Sequence, residues 1–164
     1  MNEIEKGLPE ERLRKLIEKM NVCMLNTRGP DDTIHSRPMG FVEMSTDGSL
    51  FFFTHSASPK VAEIKHHHEV CVTFSDPVQN VYVTVNGRAW VRDDRVEIRR
   101  LFTPMMSQWF AKGAEDPEIR LLVIEPDAAE YWQGPSSLSW MLRLAKLTMT
   151  PIPVDQGEHG AFSL

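Results

Sequence analysis

Between Val22 and Thr54 the chain reads as three β-rich segments, VCMLNT, TIHSRPMGFVEMS and LFFFT, separated only by RGPDD and TDGS. Turns this short join antiparallel neighbours, whereas parallel strands need a crossover of a dozen or more residues. An antiparallel meander is therefore expected, with a doubly wound parallel sheet the weaker alternative. EVCVTFS and NVYVTVNGRAWVRDD extend the meander as two strands joined by DPVQ, the second long enough to bend at Asn86 and Gly87. IRLLVIEP and AAEYWQG read as two final strands. Six or seven short strands predict a mainly β fold with some α content, a small closed or partly closed barrel with peripheral helices.

The helices are marked by a change of period. Pro9 followed by Leu13, Leu16, Ile17 and Met20 gives an amphipathic stripe. Ser58 is placed to cap a helix that starts at Pro59 and offers Val61 and Ile64 as its apolar face. DDRVEIRRLF and PMMSQWF are helical in spacing, GAEDPE is a loop, and SSLSWMLRLAKL is a closing helix. TPIPVDQGEHGAFSL has the composition of a partly ordered tail. With 164 residues the chain is expected to form one domain over residues 1–150, followed by a tail over 151–164.

Hydrophobic residues make up 41% and charged residues 25%, which places the chain among globular proteins. A net charge of -5 argues against a general binder of nucleic acid or anionic membrane, since those surfaces need excess Lys and Arg. The first residues lack the continuous apolar run of a secretory signal, and Cys23 and Cys71 lie apart in apolar surroundings with no CxxC spacing. Buried free thiols and a cytoplasmic location are the expectation. His66, His67 and His68 are consecutive, so on a helix they point about 100° apart and do not converge on a metal as an i, i+4 pair would. No metal site is expected. GxSxG, GxxxxGK[ST] and GxGxxG are absent from the sequence.

A scattered polar set remains: Arg37 in a strand interrupted by Pro38, Thr54 and His55 at the end of LFFFT, Ser58 and Lys60 at a helix start, and Trp132 in EYWQG. Each has a structural explanation: an ion pair for Arg37, a cap for Ser58, core or interface for Trp132. Together they suggest more. A helix start with a hydroxyl and a lysine suits a phosphate, and an arginine from a nearby strand adds positive charge, so a phosphorylated flat cofactor fits better than a metal or a peptide.

SRPMG, DGSLFFFTHSASPK, YVTVNGRAWV, WF and GAEDPEIRLLVIEPDAAEYWQG, in that order, resemble the general stress protein 26 group of the pyridoxamine 5'-phosphate oxidase-like proteins, over about Val22 to Gly134. The resemblance implies a split β-barrel that binds FMN as a homodimer, with the cofactor at the subunit interface. By that resemblance Arg37, Pro38 and Met39 lie along the flavin, Phe53 and Thr54 supply backbone and hydroxyl contacts, and Ser58 and Lys60 hold the phosphate. Tyr82, Trp109 and Trp132 are the aromatic candidates for the interface or the flavin face. Where true pyridoxamine phosphate oxidases carry arginines and a histidine after the tryptophan motif, this chain reads PSSLSWM, with Ser137, Ser139 and Met141. Efficient oxidation of pyridoxamine phosphate is therefore not expected.

The resemblance implies an FMN-dependent oxidoreductase of unassigned small-molecule substrate, visited transiently by NAD(P)H or another donor. The alternatives are a non-catalytic flavin-binding stress protein, or a split barrel using a deazaflavin or a haem. A haem would need an axial histidine such as His35 or His55.

Overall fold

The computed structural model describes residues 9–135 and 158–163. The closing helix expected in SSLSWMLRLAKL, together with Ser137, Ser139 and Met141, lies outside the described residues. The elements run in the order α1 (Pro9–Ile17), β1 (Val22–Arg28), β2 (Ile34–Met44), β3 (Leu50–His55), α2 (Pro59–His66), β4 (Glu69–Asp76), β5 (Val81–Arg92), α3 (Arg95–Leu101), two short 3-10 helices (Pro104–Gln108 and Gly113–Glu115), β6 (Ile119–Gln133) and β7 (Glu158–Ser163). The strands form an antiparallel sheet in the order β3-β2-β1-β4-β5-β6-β7, and a further β3–β6 pairing closes the first six into a barrel. No helix among the described residues is long and apolar enough to cross a membrane.

Turn chemistry sets the meander. Gly48, at φ 89°, turns the chain between β2 and β3, where the Ser49 N–H donates to Asp47 at 3.2 Å. Between β1 and β2, Asp32 takes the left-handed conformation at φ 65° and pairs with Arg28 at 2.8 Å. Asp and Asn tolerate that region better than other non-glycine residues.

The barrel interior is filled by alternate residues of every wall, among them Cys23 and Leu25 of β1, Leu50 and Phe52 of β3, Val70, Val72 and Phe74 of β4, and Leu122 and Ile124 of β6. Leu13 and Ile17 of α1 are buried in the same core, as the helical stripe predicts; Met20, expected on that helix, is buried there from beyond its end at Ile17. A second cluster lies on the other face of β3 and β6: Leu121 and Val123 of β6 pack with Ile98 and Leu101 of α3 and with Phe110, and Phe51 and Phe53 of β3 rest against them. Covering both faces explains why LFFFT and IRLLVI are continuous apolar runs and do not alternate.

IRLLVIEP and AAEYWQG, expected as two strands, are one. β6 runs unbroken from Ile119 to Gln133 through Pro126 because a register shift opposite Asn86 and Gly87 absorbs the proline. A Cβ on Gly87 would stand 2.2 Å from the Glu125 carbonyl oxygen, so glycine permits the close approach. Within the tail, Glu158–Ser163 forms β7 and pairs with Ala128–Gln133. It takes the β6 edge that β3 leaves free beyond Ile124.

Candidate functional site

β2 is where the wall parts. Its Ile34–Gly40 half pairs with β1, but only Phe41, Glu43 and Met44 pair with β3. The Phe41 N–H donates to Asn21 on the β1 side at 2.9 Å, so by strand alternation the nitrogen of Pro38 faces the opposite edge, which β3 has left. The proline therefore removes a donor where the ladder has no strand to receive one.

In that opening lies a pocket of about 640 Å³ lined by Ile34, His35, Ser36 and Arg37 of β2 and by Ser58, Pro59, Lys60 and Glu63 at the start of α2. Arg37, Ser58 and Lys60 of the scattered polar set thus meet here, together with His35. Ser58 occupies the N-cap position of α2 but makes no capping hydrogen bond. Its hydroxyl instead receives the Lys60 Nζ at 2.6 Å, and the same ammonium donates to the Thr54 hydroxyl at 3.2 Å. Thr54 is 3% exposed, so β3, the following turn and α2 are tied at this point. Burial, and then the neighbouring Arg37 charge, pull the Lys60 ammonium below its usual value against the opposing effect of Glu63.

Arg37 does form an ion pair, and its partner is a buried carboxylate. Its Nη2 donates to Glu63 Oε2 at 2.7 Å, and its Nη1 donates to the Thr27 hydroxyl. Thr27 in turn donates to Glu63 Oε2 at 2.5 Å, and His35 Nδ1 meets Glu63 Oε1 at 2.6 Å. Burial by itself would raise the Glu63 carboxyl. The hydrogen bonds from Thr27 and His35, with the Arg37 charge, outweigh it and hold Glu63 below the usual carboxylate range.

Glu63 and Thr27 were not legible as site residues. Glu63 follows Lys60 by three positions on a helix, which places the two on one face and was the available signal. Thr27 sits directly opposite His35 and diagonal to Arg37, a relation that exists only once the β1–β2 register is set.

The remaining candidates divide. Met39 is buried in the barrel core, so only its backbone is available beside the exposed Pro38. The Phe53 ring belongs to the second cluster, 6.2 Å from the rings of both Phe102 and Phe110. Tyr82 and Trp132 are each 41% exposed and face one another across β5 and β6, and Trp132 stacks on His159 of β7 with centroids 4.9 Å apart. Trp109 ends a 3-10 helix beside the second cluster and is exposed. None of the three lines the pocket. The histidine run diverges: His66 is exposed, His67 stands 4.0 Å from Asp32, and His68 meets the Ala89 carbonyl at 3.1 Å and lies against Trp90. His55 is exposed at the end of β3.

Residues 9–155 match the family described as pyridoxamine 5'-phosphate oxidase like, and the chain belongs to that family. Among solved structures, it resembles a Clostridium acetobutylicum protein related to general stress protein 26 of Bacillus subtilis. That match has a TM-score of 0.71 and 15% identity and covers 94% of each chain. A general stress FMN/FAD binding protein from Xanthomonas citri matches at a TM-score of 0.68 and 26% identity, over 90% of this chain and 97% of the other. Protein bli-3 of Neurospora crassa is 25% identical over 105 residues, 58% of this chain and 50% of that protein. The chain thus spans about half the length of that relative. The split-barrel architecture agrees with these neighbours.

Proposed function

We propose that the pocket between β2 and the start of α2 holds the phosphate of FMN and that the protein is a flavin-dependent oxidoreductase acting on a small molecule. The observation that carries this reading is the convergence of Arg37 from β2 with Ser58 and Lys60 from the start of α2 on one pocket. Two cations against one carboxylate leave a net positive charge there, as a phosphate dianion requires. The N-terminus of α2 adds its dipole in the same sense. The Xanthomonas citri protein, named for FMN/FAD binding, supports a flavin-type ligand. A bound flavin would supply hydride chemistry, while this chain would grip the phosphate and set the charge beside the ring.

The reading includes a homodimer. The outward positions of β1, β5 and β6 carry the exposed Val22, Met24, Tyr82 and Trp132, an apolar surface that a second copy of the chain would cover. Tyr82 and Trp132, which lie outside their own pocket, would then reach the partner's cofactor.

The test is a visible spectrum and a titration with FMN, alongside riboflavin, which lacks the phosphate. Oxidised-flavin absorbance and an FMN affinity at least about 100-fold above riboflavin, a gap of ~2.7 kcal/mol, are expected. Lys60→Ala should remove most of that gap. A protein that stays colourless with excess FMN would end the proposal. NAD(P)H consumption by the loaded protein distinguishes turnover from flavin storage, and pyridoxamine phosphate should be a poor substrate.

A further inference from the structure

A carboxylate is an odd lining for a phosphate pocket, because it repels the ligand. Glu63 is nevertheless there, 5% exposed, on the same face of α2 as Lys60. Besides the His35 contact on its other oxygen, its Oε2 joins a ring with Arg37 and Thr27. Arg37 reaches it directly at 2.7 Å and also donates to Thr27, whose hydroxyl donates back to Glu63 at 2.5 Å. Thr27 is 1% exposed and does not line the pocket. Its hydroxyl has one hydrogen to give and gives it to Glu63, so it meets Arg37 as an acceptor. One end of the guanidinium is thereby fixed from two sides. Those two contacts use one N–H each of the five that arginine carries, and the others remain for a ligand.

We infer that Glu63 and Thr27 are positioning residues for Arg37, a buried clamp that presents its guanidinium to a phosphate in a single orientation. The inference rests on the phosphate reading of the pocket. It goes beyond it by assigning a role to two residues, one of which no ligand in the pocket would touch. A side chain held in its binding rotamer loses less entropy when the ligand arrives, and supporting shells of this kind are worth about 10- to 100-fold in affinity at metal sites.

The experiment compares FMN and riboflavin binding in wild type, Thr27→Val, Glu63→Gln, Arg37→Ala, and the two doubles that combine Arg37→Ala with each clamp variant. Thr27→Val changes no charge and should weaken FMN by about tenfold with riboflavin unmoved. Glu63→Gln should also weaken FMN, although it removes a repelling charge. In the Arg37→Ala background Thr27→Val should no longer matter and Glu63→Gln should no longer weaken FMN, because the group they position is gone and only relief of the carboxylate's repulsion is left. Equal losses for FMN and riboflavin, tighter FMN binding by Glu63→Gln with Arg37 in place, or an undiminished weakening without Arg37 would each overturn the clamp. The same series with inorganic phosphate, followed by 31P line broadening, separates the two readings. A wild type that takes phosphate but no flavin sinks the flavin reading and leaves the clamp to be judged on phosphate. A wild type that takes neither overturns both.

Discussion

Strands β2 and β5 are nearly equal in length, 11 and 12 residues, and each contains a register shift, yet they do opposite things. β5 pairs with β6 along its whole length from Val81 to Arg92, and its shift at Asn86 and Gly87 is healed by the missing Cβ. β2 leaves β3 at Phe41 and does not return. The difference lies in what faces inward. β5 turns Val81, Val83, Val85 and Ala89 into the barrel, all buried, and gains from closure. β2 turns Met39 inward and then, towards its start, Arg37 and His35, which an apolar interior would not accommodate without partners. The wall therefore parts where its inward face becomes polar, and α2 brings Glu63 and Lys60 to the gap.

Substitutions can break that contrast at either wall. The largest effect is expected at the closed one. Gly87→Val would drive a Cβ into the Glu125 carbonyl oxygen and should cost about 4 kcal/mol, read as a lowered urea midpoint. Near-wild-type stability would mean that β5 and β6 are not locked together at the bulge. Phe52→Ala comes next. This ring, 1% exposed, lies opposite Phe41 at the last pairing before β2 departs, with centroids 5.6 Å apart, and its loss should cost about 3 kcal/mol.

The open wall predicts a pH dependence of smaller size. Because Glu63 is held below the usual carboxylate range in the folded state, its contribution is present above that range and lost as pH falls through the depressed value. Unfolding free energies measured across acid pH should show wild type converging on Glu63→Gln at the acid end. Parallel curves would remove the carboxylate from the account. The smallest effect concerns Cys23, which faces the core and whose thiol burial pushes up to about 12. It should resist a thiol reagent at pH 8 in native buffer and react at once in denaturant.

Much of this architecture was legible in advance. Short turns with glycine, proline and aspartate announced the antiparallel meander, and Leu13 and Ile17 announced a helix on a core, although that helix stops short of Met20. Arg37, Ser58 and Lys60 were singled out together because their chemistry is local to a broken strand and a helix start, and the structure brings them to one pocket. The continuity of β6 was not, since Pro126 reads as a break unless one knows that Gly87 stands opposite. The strand in the tail was missed for a related reason: EHGAFS has no strong alternation, and its pairing is decided by the β6 edge that β3 vacates.

By itself the sequence determined the strand succession, the helical stripes and the residue types at the break in β2, because these depend on neighbours within a few positions along the chain. The tertiary structure alone decided that Thr27, His35, Arg37 and Glu63 share a few ångströms of space and that the arginine's counter-charge is buried. Those contacts span as many as 36 residues of chain. They exist only when the β1–β2 register and the seating of α2 in the barrel are both fixed.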